Sequence, residues 1–250
     1  MSTNYGIPRR VTLMAAVGVT AVASISTTGL LATPAAAAPR PLKNDKLKEA
    51  LRRAEARHRR LRTGRPSANG WQMQKAADAD GDIVSMPVAG TGLAVQLRTG
   101  DAATVLTHVI RRFHYEVDAL GRHGEPNPLK GWVTPSAVRD SRSPESNQAS
   151  GTAVVIRPGS YPPGARDGFT EGQRLVIRDV LADTEGVVRW GGDDRRPYEG
   201  LFYLAVPPAD ARLAQVAAKV RAWNEAPGAG AGAVPDVAEP ARRRRAARYL

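Results

Sequence analysis

The chain has 250 residues, of which 42% are hydrophobic and 24% charged, and it contains no cysteine. This composition excludes a wholly disordered chain, and the lack of cysteine excludes disulfides and thiolate sites. The formal net charge of +12 predicts attraction to polyanions such as teichoic acids, anionic lipids or nucleic acid, but charge alone does not choose among them.

Residues 1–37 have the pattern of a secretory signal peptide. Arg9 and Arg10 precede an uncharged apolar run over 11–31, and an alanine cluster follows, so we expect cleavage after Ala37. The alternative is a retained membrane anchor, because the apolar run approaches the length of a spanning helix. With the signal removed, we expect a secreted, wall-associated protein without a stable transmembrane anchor, and for that reason no nucleic-acid partner.

Residues 38–70 are interpreted as a charged leader helix followed by a loop. The helix is predicted over 44–62, where one narrow face repeats at spacings of four and three: Leu47, Leu51, Ala54, His58 and Leu61. Lys, Arg and Glu fill most other positions. Such a helix either binds a partner or polyanion, or lies solvated on the domain.

A compact domain is predicted over 71–224. Its elements in chain order are strands within 84–97, a helix from Asp101 to about Leu120, a strand over 152–156, a helix from Thr170 to about Asp183, strands over 187–190 and 201–206, and a helix from Pro208 to about Asn224. His108 and His114 lie six residues apart on the first of these helices, which puts them on different faces. A surface or packing role is therefore expected for each, rather than a paired metal site.

Two segments of this domain carry a recognisable pattern. The first is SNQASGTAVV, over 146–155, and the second is WGGDDRRPYEGLFYL, over 190–204, within a longer TEGVVRWGGD run at 184–193. Together they resemble the signature segments of the VanY-type zinc D-alanyl-D-alanine carboxypeptidases of bacterial cell walls. The resemblance covers about 71–224 and implies an α+β fold, a small antiparallel sheet flanked by helices, of the Hedgehog/D,D-peptidase-like type.

The resemblance also implies which residues occupy the family's zinc site. Gln148, Val155 and Leu201 stand where the zinc ligands belong, and Tyr198 stands where the general base belongs. A register shifted by one residue would instead put Phe202 at the last ligand and Glu199 at the base. A catalytic zinc site needs three protein ligands and an open water position, so we expect no zinc, no other cofactor and no activity by the family's mechanism.

Other positions of the two segments remain candidates for binding a ligand in the former cleft. They are Arg139, Ser146, Gln148, Trp190, Asp193, Tyr198 and Glu199. Arg139 is placed here because the family's loop carries an arginine that polarises the substrate carbonyl; the alternative is an ordinary solvated arginine.

Residues 225–250 are predicted to be a flexible linker followed by an Arg-rich tail. Its candidates for binding polyanions are Arg242, Arg243, Arg244, Arg245 and Arg248. The tail is either an electrostatic tether to wall polymers or membrane, or a solubilising end without a function of its own.

Three functions remain open from the sequence. The first is an exported, metal-free relative of the carboxypeptidases that binds peptidoglycan stem peptides, anionic wall polymers or a wall enzyme. The second is an active hydrolase with a rearranged site drawn from Asp193, Asp194, Tyr198 or Glu199. The third is a polyanion-binding envelope protein that acts through its basic tail.

Overall fold

A computed structural model describes residues 44–233 and 235–249 of the chain. These residues form helices and short antiparallel strands. The predicted signal segment lies outside the described residues. Within the described part, no helix is both long enough and apolar enough to cross a membrane. The class is α+β, as the sequence predicted.

Five helices and eight strands are described. The helices are α1 (Asn44–Leu61), α2 (Asp101–Glu116), α3 (Glu171–Asp183), α4 (Ala211–Glu225) and α5 (Pro240–Ala246). The strands are β1 (Arg62–Pro66), β2 (Gln72–Gln74), β3 (Ile83–Val88), β4 (Leu93–Arg98), β5 (Leu129–Lys130), β6 (Ala153–Ile156), β7 (Val188–Trp190) and β8 (Leu201–Leu204).

The strands form three antiparallel sheets. β1 pairs with β2, β3 forms a hairpin with β4, and the remaining strands make a four-stranded sheet in the order β5-β6-β8-β7. The hairpin turns through Gly90 and Gly92, both at positive φ, a conformation that glycine adopts without steric cost.

One face of the four-stranded sheet packs against α2, α3 and α4 and forms the main core. The helices present their apolar stripes to it at the spacing the sequence predicted, for example Val109 and Phe113 on α2 and Val216 and Val220 on α4. α3 begins with a capping box, in which Thr170 and Gln173 each bond the other's backbone.

The structure corrects the boundary expected near Trp71. Ser67 is buried and donates a hydrogen bond to Ser150 (2.8 Å), while the Asn69 side chain donates to Thr152 Oγ1 (2.9 Å) and to the Leu204 carbonyl (2.9 Å). The loop before Trp71 is therefore part of the folded unit, because it completes the hydrogen bonds of buried groups in the first signature segment.

The expectation of a flexible tail is likewise corrected for part of 225–250. Pro240–Ala246 is a helix, α5, that packs on α3, and its Ala246 is buried. A run of arginines repels itself in isolation, but here carboxylates of α3 neutralise two of them.

Candidate functional site

Val155 and Leu201, two of the positions that the resemblance assigns to zinc ligands, lie directly opposite each other on β6 and β8. On the other side of β6, Val155 is paired with Lys130 of β5. Gln148 reaches the same place, because its side-chain amide donates to the carbonyls of Lys130 (3.0 Å) and Gly131 (2.9 Å). The three positions therefore converge around the paired strands β5, β6 and β8. Strand pairing, rather than nearness along the sequence, brings Val155 and Leu201 together.

Apolar side chains fill this place. Val155, Leu201 and Tyr198 pack with Ala153 and Tyr203 into a small buried cluster on the face of the sheet opposite the main core. Val155 and Leu201 are fully buried, and the short 3-10 turn Pro144–Gln148 lies against the same strands. Two of the three positions that the resemblance assigns to zinc ligands therefore carry buried hydrocarbon side chains.

The two faces of β8 discriminate between the two registers that the sequence left open. Leu201 faces the small cluster together with Val155, whereas Phe202 faces the helices and packs edge-on against Phe113 at 6.3 Å between ring centroids. Because side chains alternate along a strand, a ligand at Phe202 would point away from Val155. The geometry thus favours the register with Leu201 at the ligand position.

Glu199, the base in the shifted register, has a structural role. Its carboxylate accepts hydrogen bonds from the backbone N–H groups of Asp167 (3.0 Å) and Gly168 (2.8 Å). It is buried, so both oxygens serve to hold the loop that leads into α3.

Tyr198 does not have the chemistry of a general base. Burial raises the pKa of its phenol, and the nearby Glu145 carboxylate raises it further. Burial also raises the pKa of Tyr203, whose hydroxyl donates to Asp194 (2.9 Å), and burial raises the pKa of that carboxyl despite the hydrogen bond. Both phenols are thus protonated at neutral pH, and that of Tyr203 acts as a donor to Asp194.

Three further candidates are engaged within the fold. Ser146 Oγ accepts from the Ala68 N–H (2.9 Å), and Trp190 Nε1 donates to the Glu199 carbonyl (2.6 Å). Asp193 forms a two-point ion pair with Arg178, whose guanidinium also lies 5.1 Å from the Trp190 ring centroid. These side chains are thus bound within the fold rather than offered as free groups to a ligand.

Arg139 is exposed and follows the short 3-10 turn Pro135–Ala137. Its environment is that of an ordinary solvated arginine, the alternative given for it above. Among the described residues, no group of three or more His, Asp or Glu side chains is arranged to hold a metal ion.

The basic candidates of the C-terminal segment divide into two sets. Arg242 forms ion pairs with Asp179, and Arg245 donates to Asp183 (2.5 Å). Arg243, Arg244 and Arg248 are exposed. Only the second set faces solvent in the way that a polyanion-binding surface requires.

The ion-pair network behind α5 was missed by the sequence analysis. Arg112, which is 2% exposed, is held by Glu116, Asp179 and Asp183. The carboxylates hold the pKa of Arg112 well above its usual range against the opposing effect of burial. The available signal was helical spacing, since Asp179 and Asp183 are one turn apart on α3, as are Arg242 and Arg245 on α5.

The described residues thus form an α+β domain with a small buried apolar cluster on the face of the four-stranded sheet opposite the main core. Comparison with known proteins adds no relative. No family model matches the chain, and no curated protein or solved structure matches it either.

Proposed function

We propose that this chain is an exported D-alanyl-D-alanine carboxypeptidase-like protein that lacks the family's activity and binds peptidoglycan or a cell-wall partner. The proposal depends on one observation above all. Val155 and Leu201, two positions picked out by a sequence pattern alone, are paired across β6 and β8, and the third, Gln148, bonds to the carbonyl of Lys130, which is paired with Val155 on the other side. An accidental pattern match gives no reason for that convergence.

The chemistry of the three side chains supports the loss of activity. Valine and leucine have no lone pair to give a metal, and the Gln148 amide is turned toward two backbone carbonyls, so that its N–H groups are used there. A single lost ligand would have left a buried His or Asp without its metal, at a high free-energy cost. Exchange of the whole set for neutral groups avoids that cost.

Zinc content and peptide cleavage test the first half of the proposal. The purified protein is dialysed against ZnCl2, its bound metal is measured, and it is incubated with peptides that end in D-Ala-D-Ala. We expect sub-stoichiometric zinc and no release of D-alanine. Stoichiometric zinc that a chelator removes, together with cleavage, would overturn the proposal; cleavage without zinc would instead favour a hydrolase with a rearranged site.

Co-sedimentation with purified cell walls tests the second half. Walls with and without their anionic polymers are mixed with the protein at increasing salt. We expect binding to walls from which the anionic polymers have been removed, because the stem peptides remain there. No sedimentation with either preparation would contradict the proposal.

A second candidate function, polyanion binding, is favoured by the surface charge. Basic residues outnumber acidic ones on α1, whose Leu47 and Leu51 are 48% and 55% exposed, and three tail arginines also face solvent. In the same assay, binding only to walls that keep their anionic polymers, lost at high salt, would support this function. The variant Arg243→Ala/Arg244→Ala/Arg248→Ala would then bind more weakly.

A further inference from the structure

The apolar stripe of α1 is in contact with the rest of the fold at one end and open at the other. Near the C-terminal end of the helix, His58 Nε2 lies 3.4 Å from Asp82 Oδ1. Near the N-terminal end, Leu47 and Leu51 lie one turn apart, and about half of each side chain is exposed. In the described part of the chain, Tyr115 is the one other large hydrophobic side chain with comparable exposure. Two of the three such side chains are therefore neighbours on one helix.

Basic side chains lie on both sides of these two leucines. At about 3.6 residues per turn, Lys48 and Arg59 fall on one side of the leucines, and Lys46 and Arg57 fall on the other. All four side chains are exposed. Lysine and arginine can lay their hydrocarbon stems along an apolar surface while the charged ends reach a polar layer above it. The leucines thus form a narrow apolar strip with positive edges.

The acidic residues of α1 are fewer and lie mostly on the opposite face. Asp45 and Glu49 are both turned away from the leucines, and Glu49 pairs with Arg53 one turn along the helix. Glu55 is the acidic residue of α1 that lies beside the strip. Negative charge is therefore kept away from most of the surface around Leu47 and Leu51.

A second copy of the chain fits this face poorly. The apolar stripe has the four-and-three spacing of a coiled coil, but α1 has 18 residues, which is fewer than the three to four heptads that such a pairing usually needs. Lys48 and Arg57 fall at the edge positions of that pattern, so two copies would bring like charges together. A soluble polyanion fits only half of the surface, because it would neutralise the edges and leave the leucines in water.

We propose that α1 binds the surface of an anionic lipid bilayer, lying in its plane with Leu47 and Leu51 below the headgroups and the basic edges against the lipid phosphates. A helix with an apolar strip and a strongly charged opposite face is typical of such interfacial binding. An anionic bilayer is the partner that buries the leucines and neutralises the edges at the same time. The proposal rests on the second candidate function, polyanion binding, for which it names the polyanion at α1; it does not rest on the former cleft.

Co-sedimentation with lipid vesicles tests the proposal. The chain from residue 38 onward is used, so that the apolar run over 11–31 cannot bind lipid by itself; it contains every described residue, and these belong to one compact unit. Vesicles of equal parts phosphatidylglycerol and phosphatidylcholine are compared with vesicles of phosphatidylcholine alone. We expect binding to the anionic vesicles that weakens as salt is added, and little binding to the neutral ones.

An apolar variant separates lipid insertion from charge attraction. Leu47→Gln/Leu51→Gln keeps the charge of α1, and glutamine is a good helix former, so the fold should be retained. We expect binding to the anionic vesicles to weaken at least tenfold, because the apolar surface is lost. Retention on immobilised polyphosphate should stay unchanged, because a soluble polyanion does not need the leucines.

A matched pair of charge variants tests which face of α1 meets the lipid. Each cation near an anionic surface contributes about fivefold in affinity, so Lys48→Gln/Arg59→Gln should weaken vesicle binding about twenty-five-fold. Arg53→Gln/Arg60→Gln removes the same charge from the opposite face, about 10 Å farther from the lipid, which is about one Debye length at 0.1 M salt. This control should lose less than fivefold.

The outcomes separate the lipid surface from other partners. The proposal is overturned if anionic vesicles are not bound, if the leucine variant binds them as tightly as the parent chain, or if the two charge variants lose affinity equally. It is also overturned if the parent chain is a dimer without vesicles and the leucine variant is a monomer, since the partner is then a second copy. Salt-sensitive binding to polyphosphate without vesicle binding would overturn the lipid surface alone and leave polyanion binding standing.

Discussion

Val155 and Leu201 face each other across β6 and β8, and both are fully buried in an apolar cluster with Tyr198. Gln148 lies beside them, bonded to the backbone of the neighbouring strand β5 and the residue after it. If these positions descend from a metal site, a site should be recoverable by restoring ligands there and nowhere else in the sheet.

The triple variant Gln148→His/Val155→Asp/Leu201→His should bind zinc. Without metal it should be strongly destabilised, because an aspartate then replaces a buried valine. With zinc at about a hundred times its dissociation constant, binding should raise the free energy of unfolding by about 2.7 kcal/mol. Thermal unfolding followed by circular dichroism, with and without ZnCl2, measures this.

A matched control introduces the same three residue types but moves the aspartate to the opposite face of β6. Gln148→His/Val154→Asp/Leu201→His places the aspartate at Val154, which faces the main core. Zinc should not stabilise this variant. Equal responses of the two triple variants to zinc, or no response from either, would contradict the alignment of the former ligands.

Removing the two ion-paired arginines of α5 should destabilise the whole domain. Arg242→Ala/Arg245→Ala leaves Asp179 and Asp183, which are almost fully buried, with the guanidinium of Arg112 as their remaining partner within the described part of the chain. We expect a loss of about 2–4 kcal/mol in the free energy of unfolding, measured by urea denaturation. The control Arg243→Ala/Arg244→Ala changes exposed residues and should stay within about 0.5 kcal/mol. Equal midpoints for the two pairs would show that α5 does not stabilise the fold.

Stability should fall in acid partly because of His108. Burial lowers its pKa to about 3 when folded, from about 6.5 when unfolded, so the unfolded chain binds more protons between these values and stability is lost as the pH drops from 6.5 toward 3. At pH 4.5 this contribution is about 2–3 kcal/mol. Urea midpoints at pH 7.5 and 4.5 should therefore differ less in His108→Leu than in the parent chain. His123→Gln should behave like the parent; an undiminished pH dependence in His108→Leu would count against the buried neutral imidazole.

Gly151 should tolerate no side chain. Its φ is +70°, and a Cβ built there would lie 2.7 Å from the Arg98 backbone nitrogen and 2.9 Å from Ile83 Cγ1. We expect Gly151→Ala to cost about 3 kcal/mol, from the left-handed conformation and from overpacking together. Gly159→Ala is the control, since a Cβ there meets nothing within 4 Å and the backbone is unstrained. Similar unfolding midpoints for the two variants would refute the close packing at Gly151.

Local pattern was enough to predict most helices and strands of this chain. α3 begins after Thr170 because its side chain and that of Gln173 satisfy the first backbone N–H groups, and α2 and α4 follow from their apolar spacing. These properties depend on neighbouring residues or on the chemistry of single side chains, so the sequence by itself determined them.

Contacts between distant segments were decided by the tertiary structure alone. The sequence could not predict that Asn69 donates hydrogen bonds to Thr152 and to the Leu204 carbonyl. Nor could it predict that a self-repelling run of arginines forms a helix paired with carboxylates of α3. It also could not bury His108 beside Trp223. The free energy of such groups depends on desolvation and on partners that only the folded chain brings within reach, and no local spacing encodes either.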